Sequence, residues 1–265
     1  LLHVEEVPLG PLVKGTPSPI SGEEKLLDRF RERCRALPVA NDLSTLDVQY
    51  HVRRGDAVAP TLVDVASNAG IDLIVMGTQG QRGLRRAFLG SVAREVLRTA
   101  PCPVLTTRAL TDDEASSKPA VERIVVPIDF SDPSHQALRY TGRLTSVYDV
   151  PVKLVHVVES PTLPAVYEVE SPKISSRKVK GRAERTLEEW GRDVLADHHD
   201  VSYVVHQGSP ESLILDAAPS PSDLLVMATR GLSGLRRTML GSVTEAVLCE
   251  AIGPVLAART FPSDR

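Results

Sequence analysis

Residues 72–108 read DLIVMGTQGQRGLRRAFLGSVAREVLRTAPCPVLTTR, and residues 223–259 read DLLVMATRGLSGLRRTMLGSVTEAVLCEAIGPVLAAR. The offset is 151 without a gap, and about half of the positions are identical. A further match, Leu1-Leu2-His3-Val4-Glu5-Glu6 against Leu154-Val155-His156-Val157-Val158-Glu159, runs at offset 153, as does Gly55 against Gly208. A two-residue deletion between Gly208 and Asp223 reconciles the offsets. So long a period exceeds any solenoid repeat and means a duplicated domain. The segment 109–120, ALTDDEASSKPA, is acidic, contains Ser and Pro and lacks hydrophobic periodicity, so it reads as the linker between the copies. Two domains follow, residues 1–110 and 121–265.

The second copy alternates short apolar runs with helical patterns. Ile124–Ile128, Val152–Val158, Ser202–His206, Leu224–Ala228 and Pro254–Ala257 read as buried strands. Ser131 or Asp132 can cap a helix carrying Ala137, Leu138, Tyr140, Thr141 and Leu144. Val179, Ala183, Leu187, Trp190 and Val194 share one face of a second helix. Glu211–Ala218 is a third, ended by Pro219 and Pro221, and a fourth begins at Gly241 and runs to Cys249. Continuously apolar strands between helices specify an α/β fold, a doubly wound parallel sheet whose ligands sit beyond the carboxyl ends of the strands.

The first copy has the same order but starts late. Its second-strand equivalent begins at Leu1. Ser21 with Glu24 makes a capping box before a helix carrying Leu26, Leu27, Phe30, Cys34 and Leu37. Strands follow at Val48–Val52, Leu73–Met76 and Val104–Thr106. Counting back 153 from Ile124 puts the first strand near position −29, so one strand and one helix are absent and Leu1 is expected to mark a truncated start.

Composition narrows the function classes. Charged residues are 25%, apolar residues 42% and aromatics 4%, which gives a globular chain with a core of Val, Leu, Ile and Ala. The net charge of −3 provides no basic field for a nucleic-acid backbone. No apolar run approaches a membrane span. Three cysteines, Cys34, Cys102 and Cys249, without CxxC or a Cys/His cluster, argue against disulfides or structural zinc and for a reducing compartment.

The most informative motif follows the fourth strand of each copy. It reads Gly77-Thr78-Gln79-Gly80, nine residues, Gly90-Ser91 in the first, and Ala228-Thr229-Arg230-Gly231, nine residues, Gly241-Ser242 in the second. Glycines let backbone N–H groups approach a phosphate without a Cβ in the way. Gly90-Ser91 and Gly241-Ser242 stand where a helix begins, and its free N–H groups and dipole favour an anion. The serine hydroxyl can donate to a phosphate oxygen or cap the helix. Neither GxxxxGK[ST] nor GxGxxG occurs, so this is neither a Walker loop nor the dinucleotide fingerprint. A glycine turn with a helix cap is also a common structural device, and duplication preserves geometry as well as function.

These loops, the VPIDFS sequence at Val126–Ser131 and the pair His156-Val157 resemble the universal stress protein family, whose ATP-binding signature is G-x2-G-x9-G-[ST]. The resemblance covers nearly the whole chain as a tandem of two family domains. It implies Rossmann-like sheets of strand order 3-2-1-4-5, ATP with Mg as ligand, and a non-enzymatic regulator or sensor in the cytoplasm. It also implies pairing through the fifth strands, either within one chain as a pseudo-dimer or between chains as a homodimer. By the same resemblance, Pro127 and Asp129 at the end of the first strand, Val157 and Met227 face the nucleoside. Ala228, Arg230 and Gly231 approach the ribose and phosphates, and Gly241, Ser242 and Val243 hold the phosphate tail. The matching positions of the first copy are Val4, Gly77, Gln79, Gly80, Gly90, Ser91 and Val92, with no aspartate, because that strand is missing.

The copies depart from the pattern in opposite ways. The second has Ala228 in place of the first glycine, which lowers affinity if the site needs positive φ or close phosphate contact and is mild otherwise. The first has the intact loop but no first strand, and its site is expected to be impaired. Asp129 also reads as a turn residue before Ser131, His3 and His156 as hydrogen-bonded core residues, and Arg85-Arg86 and Arg236-Arg237 as solvated arginines. Two other functions fit the residues, an interaction module that no longer binds nucleotide and a slow ATPase. The sequence offers the latter no evident general base.

Overall fold

A computed structural model of the chain describes residues 1–6, 25, 27–32, 46–78, 88–108, 121–159, 176–231 and 239–258. The chain forms two compact units, Leu1–Gly70 and Ile71–Arg265. The expected capping box at Ser21 and Glu24, Leu26, Cys34, Leu37, the linker and both Arg-Arg pairs lie outside the described residues.

In the first unit β1 (Leu2–Glu6) pairs in parallel with β2 (His51–Gly55), from Leu2↔His51 to Glu6↔Gly55. The second strand thus starts three residues later than the predicted Val48 and runs on to Gly55, because ladder pairing to β1 begins only at Leu2. A helix that the sequence reading did not assign, α1 (Val58–Asn68), follows and buries Ala59 and Ala66. His3 is exposed against the Phe30 ring at 5.6 Å between centroids, not in a buried strand as expected. Among the described strands β1 has one neighbour, β2, so it lacks the two-sided cover that buries a central parallel strand.

The second unit contains one seven-stranded sheet. In chain order it uses β3 (Ile74–Gly77), α2 (Ser91–Thr99), β4 (Val104–Thr107), β5 (Arg123–Pro127) and α3 (Asp132–Thr145). Then come β6 (Val152–Val158), α4 (Ser176–Val194), β7 (Val201–Gln207), α5 (Pro210–Ala217), β8 (Asp223–Ala228), α6 (Ser242–Glu250) and β9 (Val255–Ala258). The order across the sheet is β3-β4-β9-β8-β5-β6-β7. Read from β7 to β9, the second repeat has the 3-2-1-4-5 order that the family resemblance implies, with every neighbour parallel. β3 begins one residue after the predicted Leu73, since its first ladder bond runs from the Ile74 N–H to the Pro103 carbonyl at 3.0 Å.

The two repeats meet at β4 and β9, the one antiparallel junction among the described strands. The register is Val104↔Ala257, Leu105↔Leu256 and Thr106↔Val255. At offset 151 Leu105 and Leu256 are equivalent, so the ladder is symmetric about that pair. Arg94 and Glu245, also equivalent positions, form an ion pair of 2.7 Å between α2 and α6. Two fifth strands thereby cover each other's edges, which removes the exposed rows of N–H and C=O groups that each would otherwise present.

Neighbours decide burial here. Leu224 and Val226 on β8, between β9 and β5, are 5% and 0% exposed. Their equivalents Leu73 and Val75 lie at β3, the edge of the sheet, and are 43% and 61% exposed. The core of this unit joins Ile124 and Val126 of β5, Leu138 of α3, Leu154 of β6 and Leu187 of α4. The inward stripe of α4 meets that core from Ala183 onward, while Val179, expected on it, is exposed. No helix of the described residues is long and apolar enough to cross a membrane.

Candidate functional site

The sequence ends β5 with Ile128-Asp129-Phe130-Ser131, and this turn does two jobs at once. Ser131 caps α3, its hydroxyl accepting from the Ser134 N–H at 3.3 Å, which decides between Ser131 and Asp132. The backbone N–H and the hydroxyl of Ser131 both donate to Asp129 Oδ1, at 3.0 and 2.5 Å. Asp129 is therefore the turn residue that its position before Ser131 suggests, and it also lines a cavity of about 380 Å³.

That cavity opens where the carboxyl ends of β6, β5 and β8 lie side by side. Volumes of this order suit a small organic ligand. β6 supplies Val155, Val157 and the following Glu159; β5 supplies Pro127, Ile128 and Asp129. From β8 and its loop come Met227, Ala228, Arg230 and Gly231, and from the start of α6 come Gly241, Ser242, Val243 and Thr244. All ten second-repeat residues selected from the sequence are thus brought to one wall-to-wall site.

The glycine loop has the same closure in both repeats. The Gly241 N–H donates to the Thr229 carbonyl at 2.9 Å, and the Gly90 N–H to the Thr78 carbonyl at 2.9 Å. Each glycine is the N-cap of its helix, with φ −66° at Gly241 and −58° at Gly90. Neither cap makes a side-chain hydrogen bond, and Ser242 and Ser91 are the first residues inside their helices. Ser242, Val243 and Thr244 line the cavity, so the positive end of α6 is turned to it. Thr244 ties this end down by donating its hydroxyl to the Ala228 carbonyl at 2.9 Å.

Three details bear on residue choice. Among the described residues a Cβ on Gly241 would meet ordinary contacts, at 3.6 Å from the Thr229 carbonyl oxygen and 3.6 Å from Thr244 Oγ1. A Cβ on Gly231 would collide with Asp129 Oδ2, so this glycine lets the loop close on the carboxylate. Ala228 is an ordinary strand residue, because Phe130 is the only non-glycine with positive φ among the described residues. Of the two outcomes left open for Ala228, the mild one applies to the backbone.

In the first repeat the selected residues are divided. Val4 lies on β1 in the first unit. Gly77 ends β3, Gly90 caps α2, and Ser91 and Val92 open that helix, all in the second unit. Gln79 and Gly80 lie outside the described residues.

The sequence reading missed Ile128, Val155, Glu159, Pro210, Ile214 and Thr244 and gave Ser134 no part in the site. Ile128, Val155 and Glu159 were legible as neighbours of selected strand ends. Pro210 and Ile214 come from α5, which reaches the cavity through crossover geometry that no local pattern encodes. Burial pushes the Cys102 thiol up, and burial does the same for Cys249, so both disfavour the thiolate.

A model of the universal stress protein family matches residues 2–108 and 120–259. Universal stress protein Rv2005c of Mycobacterium tuberculosis is 32% identical over 202 residues, which cover 76% of this chain and 65% of that protein. The chain therefore spans less than two thirds of the length of these relatives. Universal stress protein MJ0531 of Methanocaldococcus jannaschii is 30% identical over 146 residues, covering 52% of this chain and 82% of that protein. Among solved structures, a putative universal stress protein from Pseudomonas aeruginosa superposes with a TM-score of 0.61 at 17% identity, covering 97% of this chain and 81% of that one. One from Archaeoglobus fulgidus gives 0.59 at 20% identity, covering 93% and 84%. At these identities the structures establish the shared fold.

Proposed function

The chain belongs to the universal stress protein family, and on that premise we propose that its second repeat binds ATP and acts in the cytoplasm as a stress-response regulator or sensor, through binding rather than turnover. The observation that carries this reading is Gly241. Its φ of −66° suits any residue, and the described residues around it leave room for a Cβ. Neither the backbone nor packing against the described residues requires glycine there, whereas a phosphate seated close on the α6 amides favours it.

The rest of the cavity fits the parts of a nucleotide. Val155, Val157, Met227 and Ile214 offer apolar surface to a base. The Asp129 carboxylate offers an acceptor to ribose hydroxyls. Arg230 and the start of α6 offer positive charge to the phosphates, which would bring Mg with them rather than meet it in a protein cage. The symmetric β4–β9 ladder supports an intrachain pseudo-dimer, with protein partners reading a surface that ATP occupancy biases. The net charge of −3 supports a protein partner over nucleic acid.

Calorimetric titration with MgATP tests the proposal. Saturable binding is expected, lost in Asp129→Ala. No saturable heat at millimolar nucleotide would remove the reading. Ala228→Gly is expected to leave the affinity unchanged and to lower stability by about 0.5–1 kcal/mol through strand entropy. A large gain in affinity in that variant would mean that the Ala228 methyl obstructs the phosphates.

A further inference from the structure

Phe130 stands directly after the cavity carboxylate with φ 62°, a left-handed conformation that a bulky aromatic residue rarely adopts. Such an outlier persists only where its surroundings over-determine it, and it is a pointer to function. Here the surroundings are specific. The Phe130 ring lies against the His156 imidazole, 4.4 Å between centroids, and meets Trp190 edge-on at 5.5 Å. Trp190 is in turn backed by His135 at 4.8 Å. His156 also reaches the residue before Asp129, with Nδ1 2.7 Å from the Ile128 carbonyl oxygen. A carbonyl only accepts, so Nδ1 carries the proton.

His156 therefore grips both sides of Asp129, by a hydrogen bond to Ile128 and by a tilted ring contact with Phe130. We propose that His156 and Phe130, with Trp190 behind them, are positioning residues that hold the Asp129 backbone in the turn that aims its carboxylate into the cavity. The clamp acts before any ligand arrives, so the ligand meets an acceptor already oriented instead of ordering one on binding. This inference rests on the nucleotide reading only for the identity of the ligand.

The test uses the full chain and two variants. Asparagine at position 156 keeps a donor for the Ile128 carbonyl, whereas leucine keeps only apolar bulk. In ligand-free protein the carbon-13 signal of the Asp129 carboxyl, assigned by its loss in Asp129→Asn, is expected to shift in His156→Leu and to return towards wild type in His156→Asn. MgATP affinity should follow the same order, about tenfold weaker in His156→Leu and largely restored in His156→Asn. Trp190 is the sole tryptophan of the chain, so its emission reports the clamp. It should respond to MgATP in the wild type and lose that response in His156→Leu. An Asp129 signal that is unchanged in His156→Leu, or equally displaced in both variants, overturns the clamp. If the wild type binds no MgATP, the nucleotide reading fails, and the ligand-free carboxyl signal still decides the clamp.

Discussion

Gly241→Val is expected to abolish MgATP binding while leaving the protein folded. Valine adopts φ −66° without strain, and at the N-cap it costs roughly 1 kcal/mol relative to glycine. The first side-chain carbon has room, with its nearest neighbours at 3.6 Å. The two methyls beyond it have to project from a residue that lines the cavity, and they occupy the place of a phosphate oxygen at the α6 amides. Losing two charge-assisted hydrogen bonds, at about 1.5–3 kcal/mol each, weakens binding by about 100-fold or more. Calorimetry beside a thermal melt checks both halves. Wild-type affinity in this variant would mean that nucleotide does not use the glycine loop. Gly241→Ala should fall between, since one methyl makes ordinary contacts only.

The second large effect concerns stability. Asp223 is 2% exposed at the start of β8 and takes a two-pronged pair of hydrogen bonds from Arg123 on β5, at 2.9 and 2.8 Å. It accepts a third from the Ser220 N–H at 2.9 Å. The hydrogen bonds to Asp223 raise the Arg123 pKa further, so the guanidinium stays charged at any working pH. Asp223→Ala strands that charge and the Ser220 amide, and a loss of about 3 kcal/mol in urea unfolding is expected. The low end of the range for buried pairs applies because the Arg123 side chain is 34% exposed. Replacing both partners, Arg123→Met with Asp223→Leu, should recover much of the loss, because no charge is then left unpaired. The first repeat provides the control. Asp72 is the equivalent of Asp223 but is exposed, so Asp72→Ala should change stability by no more than about 0.5 kcal/mol. Equal losses at the two positions would contradict the assignment.

Much of the site was legible in the sequence because its parts are local. A nine-residue spacing before Gly-Ser, an aspartate at a strand end and apolar runs of strand length are each carried by neighbouring residues, and the ten second-repeat positions that the family resemblance implied line one cavity. Ala228 shows the limit. From sequence its methyl had two opposite readings, and the backbone angle removes the one that needs positive φ. His3 and His156 show it again. They are equivalent in sequence, yet one is exposed on a strand with a single described neighbour and the other clamps the Asp129 turn.

What the sequence by itself determined is the duplication, the α/β alternation and the chemistry gathered at each strand end, because periodicity and turn residues act within a few positions of themselves. What only the tertiary structure decided is which edges meet and what the meeting imposes. The symmetric β4–β9 ladder, the Arg94–Glu245 pair at equivalent positions, the left-handed Phe130 and the Arg123–Asp223 bridge all join residues on separate elements. Their free energies exist only once hydrogen bonds and contacts close across the sheet, and no local pattern records them.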